Sequence, residues 1–197
     1  MTQYVRNILK VYRRHTTDDW AHGVSWYRSA LVQCEEIADE YSMRVNTVIG
    51  VMAALSPNNR WEYNVRNTWA MIDAWCNQRD IDSFKVSTYS TMKRKAWSIL
   101  DDQLHTHDAI MDRLNGQKIR SFYSNIRGLD EVTIDGHALN IARGERINLT
   151  DDKTNIGKKL YRELQDAYVR AAKRVDVAPH ELQAITWTTW RREHGIA

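Results

Sequence analysis

The chain carries the segment LNGQKIRSFYSNIRG at residues 114–128 and, shortly after it, VTIDGHA at residues 132–138. The first segment predicts two helices joined by a tight turn at Gly116, because a glycine separates two apolar-periodic stretches. The second predicts a short extended stretch followed by an acid, Asp135, at the start of another helix. This order of helix, glycine turn, helix, extended stretch and acid decides the fold that we predict.

Helical periodicity also dominates the rest of the chain. Two prolines interrupt the sequence, and alternation of apolar and polar residues over strand length is nearly absent. The single strand candidate is Val132–Ile134. Helices are predicted over about residues 3–14, 45–55, 88–102, 106–113, 118–127, 135–143 and 180–193, and apolar stripes place three more at about residues 26–41, 61–75 and 156–171. We therefore predict an all-α protein of about ten helices that forms a single two-lobed domain over residues 1–197.

Composition excludes several classes of protein. A hydrophobic fraction of 43%, with 8 Trp and 9 Tyr, is incompatible with intrinsic disorder. Two cysteines are too few for a disulfide framework, a four-thiolate iron–sulfur site or a cysteine-rich zinc site. The sequence contains neither a run of about 18 apolar residues nor an apolar N-terminal stretch. We expect a soluble, cytoplasmic protein without membrane association, metal or cofactor.

The net charge of +3 is unevenly distributed along the chain. Between Arg113 and Arg174 there are 13 Lys and Arg against 8 Asp and Glu, a balance of +5. A basic region of this kind suits a polyanion such as nucleic acid, whose phosphates are bound mainly by Lys and Arg. The alternative interpretation is an ordinary solvated helix face.

Two predicted turns carry polar side chains suited to ligand binding. After Gly116, free backbone N–H groups at a helix start suit a phosphate, with Lys118 and Arg120 adding positive charge. The second turn, SPNNR at residues 56–60, lies between two predicted helices. There Asn59 and Glu62 have the spacing of a helix capping box. The functional alternative is that this turn presents its amides and Arg60 to a ligand.

Three further features have both a structural and a functional interpretation. Asp135 is placed to cap a helix through its carboxylate, or to act as a carboxylate that stabilises positive charge or accepts a proton. His137, two residues later, either makes local hydrogen bonds or orients that carboxylate. Gln183, Trp187 and Arg191 share one helical face by their four-residue spacing, which suits core packing or contact with a planar ligand.

Taken together, these segments resemble the helix-hairpin-helix (HhH-GPD) superfamily of DNA glycosylases, including its small phage-encoded members. Residues 54–65 are similar to the family's Leu-Ser segment, residues 114–118 to its hairpin turn, and residues 132–137 to its Val-Asp-x-His signature. The resemblance covers about residues 48–143. It implies a two-lobed helical fold with an interlobe cleft, and it places the helix-hairpin-helix and the catalytic aspartate at about residues 106–143.

The resemblance implies a monomeric enzyme that extrudes a damaged or modified base from duplex DNA and cleaves its N-glycosidic bond. Asp135 would be the catalytic carboxylate, and Gln183, Trp187 and Arg191 would form the base pocket. Lys118 would be either the nucleophile of a lyase variant or a phosphate clamp, since Lys118 and Arg120 both align with the family's lysine. The DNA-binding residues would be Asn58, Asn59, Arg60, Gly116, Gln117, Arg120 and His137.

Two other functions fit the same resemblance. One is a protein that binds DNA or a modified base without catalysis, a reading that gains weight because Lys118 replaces the second glycine of the family's hairpin. The other is a phage enzyme that processes a hypermodified base on the same scaffold.

Overall fold

The structure, a computed structural model, describes residues 1–149 and 156–196. Within these residues the chain forms ten α-helices and one short 3-10 helix. The helices are α1 (Gln3–Tyr12), α2 (Thr17–Glu40), α3 (Val45–Leu55), α4 (Trp61–Cys76), α5 (Ser90–Asp101), α6 (His107–Arg113), α7 (Gln117–Ile126), α8 (Gly136–Arg143), α9 (Lys158–Val175) and α10 (Pro179–Glu193), with the 3-10 helix at Ile81–Ser83. The all-α prediction is confirmed, and the seven predicted helix ranges agree with the observed bounds to within two residues.

The predicted strand at Val132–Ile134 is wrong. The segment is extended, but no strand forms in the described part of the chain. Its backbone groups are satisfied by side chains instead, because Ile134 N–H donates to the Tyr161 hydroxyl at 3.1 Å and Val132 C=O accepts from Gln165 Nε2 at 2.9 Å. Two residues of α9 thus replace the neighbouring strand that an isolated extended segment lacks.

The chain divides into two compact units. Unit 1 comprises Met1–Tyr27 and Gly128–Ala197, and unit 2 comprises Arg28–Arg127. The division falls inside α2 and directly after α7, whereas the sequence predicts its weakest points at loops near residues 78–85 and 144–154. Residues 150–154 of the second loop lie outside the described residues.

The core of unit 1 is formed by α1, α8, α9 and α10. The apolar stripe predicted on α9 is buried, with Tyr161, Leu164 and Tyr168 at its centre. Helix α8 ends at Gly144, which adopts the left-handed conformation with φ of 76°. At this end Asn7 of α1 donates to the carbonyl of Ala142 at 2.9 Å, which fixes α1 against the last turn of α8.

In unit 1, α2 approaches α10 closely at Gly23. A Cβ atom at this position would lie 2.5 Å from the Cα of Ile185 and 2.6 Å from its backbone nitrogen. Backbone atoms cannot move aside as a flexible side chain does, so only glycine permits this approach. Nearby, the buried Asp19 carboxylate accepts from Arg192 Nε at 2.9 Å and from Thr16 N–H at 2.9 Å. These bonds hold the pKa of Asp19 below its usual value, although burial acts in the opposite direction.

Unit 2 is built around α3. Every residue of α3 from Thr47 to Leu55 is buried, as expected for a helix that is apolar on all sides. The buried face of α4 differs from the predicted apolar stripe. It includes the polar residues Asn64, Asn67 and Thr68. The tryptophans of the stripe, Trp61, Trp69 and Trp75, are half-buried. Asn64 is accommodated because its Nδ2 donates to the Met52 carbonyl at 3.1 Å.

Replacement of Gly23 by alanine should destabilise the protein by about 1–3 kcal/mol, because the added methyl group overlaps the backbone of α10. Urea unfolding measures this change. Gly157→Ala is the control, since a Cβ there meets nothing within 4 Å and the loss should stay below about 1 kcal/mol. A Gly23→Ala variant as stable as the wild type would show that helix propensity, which favours alanine, decides the outcome instead.

Candidate functional site

Asp135 is the N-cap of α8. Its Oδ1 accepts the backbone N–H of Ala138 at 2.8 Å, which confirms the capping interpretation. Within the described residues this is the only hydrogen bond to the carboxylate, and Oδ2 accepts none. The side chain is half-buried, and the helix start fixes one of its oxygens.

Two buried phenols lie close enough to Asp135 to feel its charge. Burial raises the pKa of Tyr27, and the negative charge of Asp135 raises it further, while a hydrogen bond with Thr133 acts against both. Burial and Asp135 also raise the pKa of Tyr168, against a hydrogen bond with Thr186. Both phenols therefore stay protonated at neutral pH and can donate hydrogen bonds.

The helical face predicted on α10 lies in the same unit as Asp135. Its Trp187 contacts the ring of His137, which follows Asp135 by two residues. Gln183 is buried, and its Oε1 accepts from the Tyr27 hydroxyl at 3.0 Å. The Trp187 ring lies 6.5 Å from the His137 ring between centroids, in an edge-on arrangement. Arg191 places its guanidinium carbon 4.3 Å from the centroid of the Trp187 ring. The structure thus brings this face of α10 into contact with His137, which lies two residues after Asp135 in the chain.

Two residues of this group were missed by the sequence analysis. Tyr27 joins the surroundings of Asp135 to Gln183, and Trp26 contacts Trp187 with ring centroids 6.3 Å apart. The sequence places Trp26 in an apolar stripe, which is typical of core packing, and Tyr27 directly after it. Gly23 gave no signal of a close helix contact, because the predicted helix begins at about residue 26 whereas α2 begins at Thr17.

The predicted hairpin turn forms in unit 2. Helices α6 and α7 are joined by residues 114–116, with Gly116 as the N-cap of α7. Gln117 and Lys118 are half-buried in the first turn of α7, and Arg120 is exposed. Lys95 of α5 donates to the side chain of Asn115 in this turn, and burial lowers the pKa of Lys95. Lys95 therefore adds a third positively charged side chain beside this turn, which its position in the sequence does not indicate.

The capping box predicted for Asn59 and Glu62 is wrong. The N-cap of α4 is Arg60, whose side chain makes no capping bond. Asn59 instead donates through Nδ2 to the Leu55 carbonyl at 3.1 Å, so it satisfies the end of the preceding helix. Asn58 is exposed at the tip of the turn with φ of 50°, a left-handed conformation that asparagine tolerates better than most residues.

The two polar turns of unit 2 are linked through their helices. Trp61, the first residue of α4, contacts Phe122 of α7 with ring centroids 6.4 Å apart and the rings nearly perpendicular. Each turn leads into a helix N-terminus, where backbone N–H groups carry partial positive charge. Unit 2 thus presents Asn58 and Arg60 on one turn, and Lys118 and Arg120 on the other.

Other features bear on the class of protein. A shallow cavity of about 250 Å³ in unit 1 is lined by residues of α1 and α9, including Tyr4 and Arg170, and does not include Asp135. Within the described ranges, no group of three or more His, Cys, Asp or Glu residues could hold a metal ion. No helix of residues 1–149 and 156–196 is both long and apolar enough to span a membrane.

Fold and site together define an all-α protein of two units, with a carboxylate at a helix start next to aromatic and amide side chains. The chain belongs to a family of unknown function (DUF7178), whose profile matches residues 1–194. Neither a curated protein nor a solved structure gives a significant match to the chain.

Asp135→Ala should lower the free energy of unfolding by about 1 kcal/mol, because the N–H of Ala138 loses its acceptor. Asp135→Asn should keep most of this stability, since an asparagine oxygen caps a helix about as well. Thermal or urea unfolding of the two variants makes the comparison. Equal losses in both variants would contradict the capping role.

Proposed function

We propose that this protein is a DNA glycosylase-like enzyme that acts on an extruded, modified or damaged base and cleaves the N-glycosidic bond with Asp135. The observation that carries the proposal is the state of the Asp135 carboxylate, which is held through Oδ1 and accepts no hydrogen bond at Oδ2 from the described part of the chain. A structural cap alone does not need the second oxygen. Glycosidic cleavage does, because positive charge develops on the sugar as the base departs.

The chemistry assigned to Asp135 has two parts. As the bond between the sugar and the base breaks, its electron pair leaves with the base, and the carboxylate stabilises the cationic sugar through space. A water molecule then adds to the anomeric carbon, and Asp135 accepts the proton that this water loses. The neighbouring buried phenols exclude solvent, which strengthens the attraction between the carboxylate and the developing charge.

The aromatic and amide groups of α10 suit a flat, polar ligand. The Trp187 ring offers a stacking surface, and Arg191 over this ring offers a charge for a phosphate or a base edge. Extrusion of a base costs a few kcal/mol, and stacking with hydrogen bonds in the pocket offsets that cost. We assign Gln183, Trp187 and Arg191 to the base pocket and His137 to its margin.

We assign binding of the DNA sugar–phosphate backbone to unit 2. Asn58, Asn59 and Arg60 form one contact, and Gly116, Gln117, Lys118 and Arg120 form the other, each at the start of a helix. Backbone amides and cations at such positions hold phosphates without reading sequence. The cleft expected between the two lobes stays a prediction.

Asp135→Asn should abolish release of the base while DNA binding is retained, because the amide keeps the cap but carries no negative charge. Mass spectrometry of free bases released from duplexes with a panel of modified pyrimidines and purines measures the first quantity. Fluorescence anisotropy with the same duplexes measures the second.

Asp166→Asn is the matched control for Asp135→Asn, since Asp166 is an exposed aspartate of α9 in the same unit. This variant should release bases at the wild-type rate. If the wild-type protein binds DNA but releases no base from any duplex of the panel, the protein is a binding protein and the excision proposal is wrong.

Lys118→Ala should weaken DNA binding and reduce the slope of log affinity against log salt concentration by about one, the effect of losing a single phosphate contact. Lys10→Ala, which removes an exposed lysine of α1, should leave the slope unchanged. An unchanged slope in Lys118→Ala would exclude the clamp.

Borohydride trapping tests the second role of Lys118. A lysine nucleophile forms an imine with the opened sugar, and reduction fixes the protein to the DNA. If the trapped species forms with the wild type and disappears in Lys118→Ala, then Lys118 is the nucleophile rather than the clamp.

A further inference from the structure

The Tyr27 hydroxyl has a fixed direction of hydrogen bonding. It donates to Gln183 Oε1 at 3.0 Å, and it is also hydrogen-bonded to the side chain of Thr133. Because burial keeps the phenol protonated, this direction holds throughout the working pH range. The three side chains form a relay from Thr133 through Tyr27 to Gln183.

This relay determines which end of the Gln183 amide is available. An amide presents one acceptor oxygen and two N–H donors, and its orientation is set by its partners. Here Tyr27 occupies the oxygen. Among the described residues the amide nitrogen of Gln183 donates no hydrogen bond, and this nitrogen is not fully enclosed by the protein. The Gln183 amide is therefore held with its N–H₂ group directed to the accessible side.

We propose that Gln183, held by Tyr27, selects bases that present a carbonyl oxygen and rejects bases that present an exocyclic amino group. The inference rests on the proposed function, because it assumes that Gln183 faces the extruded base. A 4-oxopyrimidine such as uracil, thymine or a 5-substituted uracil accepts a hydrogen bond from the amide N–H. Cytosine carries an amino group at the same ring position and would face the amide donor to donor.

The discrimination follows from unpaired polar groups rather than from shape. Uracil and cytosine have nearly the same size, so stacking on Trp187 serves both equally. When the wrong base covers the amide N–H group, this donor loses its hydration and gains no acceptor. The resulting loss of binding free energy makes such sites strongly selective. Tyr27 acts here as a positioning residue, since it acts through Gln183.

The experiment uses two matched pairs of bases in otherwise identical duplexes, each placed opposite an abasic-site analogue to equalise the cost of extrusion. The pairs are uracil with cytosine, and hypoxanthine with adenine. Dissociation constants are measured by fluorescence anisotropy with the Asp135→Asn variant, which binds without cleaving. We expect tighter binding of the carbonyl base in each pair by roughly tenfold or more.

Two variants in the Asp135→Asn background test the mechanism. Gln183→Glu replaces the N–H₂ group by an acceptor oxygen, so the preference should shift toward cytosine and adenine. Tyr27→Phe removes the hydrogen bond to the Gln183 amide, which can then rotate by 180°. The ratio of the two dissociation constants in each pair should therefore fall toward one, while both bases still bind. A merely structural role of Tyr27 would weaken both bases by the same factor and leave their ratio unchanged.

Tyr168→Phe is the control variant, because Tyr168 is also a buried phenol near Asp135 but bonds to the Ala138 carbonyl rather than to Gln183. In the Asp135→Asn background, this variant should show the same ratio of dissociation constants as Asp135→Asn alone. Equal binding of the paired bases by the parent, or a ratio unaffected by both Gln183→Glu and Tyr27→Phe, would overturn the inference.

Failure of the inference and failure of the proposed function give different results. A protein that prefers carbonyl bases but releases none would retain this recognition without excision. A protein that releases bases with no dependence on Gln183 would retain the proposed function and lose only the inference.

Discussion

The contact between Gly23 of α2 and the backbone of Ile185 in α10 is the constraint on which the candidate site depends. It brings the two helices closer than any side chain at position 23 would allow. One turn further along α2, Tyr27 then reaches Gln183, and Trp26 reaches Trp187. A wider separation would break the 3.0 Å hydrogen bond before it disturbed the apolar core, because hydrogen bonds weaken steeply with distance whereas side-chain packing can adjust. The glycine therefore contributes to the site without lying in it.

In the proposed function, Asp135 combines a structural and a chemical task, because only one of its two oxygens caps the helix. The bond from Ala138 fixes the carboxylate through Oδ1, and the pKa values of Tyr27 and Tyr168 are raised mainly by burial and further by the charge of Asp135. An N-cap acid also gains from the partial positive charge of the helix start, which stabilises the carboxylate without a neighbouring lysine or arginine. Such an arrangement retains a negative charge that a developing cation on a sugar can use. An acid paired with an arginine, as Asp19 is with Arg192, has that charge already neutralised.

Local patterns predicted the helices well, because apolar periodicity and turn residues lie close together in the sequence. The capping role of Asp135 followed from the same kind of signal, an acid directly before Gly136 and an apolar stretch. The predicted strand at Val132–Ile134 failed because α9, some 30 residues later, supplies Tyr161 and Gln165 as its partners. The capping box at Asn59 failed because the side chain turned back to Leu55. The role of Tyr27 was not predictable either, since its partner Gln183 is separated from it by 156 positions. Contacts of this range depend on tertiary packing, on which a single sequence carries little information.

Helix α10 shows why Gln183 calls for an explanation beyond packing. The same helix buries Thr186 and Thr189, but both hydroxyls donate to carbonyls of their own helix, at 3.0 Å to Gln183 and 2.8 Å to Ile185. Their polarity is satisfied locally, as is common for threonine in helices. Gln183 instead depends on a side chain of another helix, and that partner satisfies only its oxygen. Leucine would fill such a position without a polar group, whereas the Gln183 N–H₂ group would cost about 1–3 kcal/mol if a ligand covered it without accepting a hydrogen bond. In the proposed function, an acceptor on the extruded base completes the hydrogen bonding of Gln183.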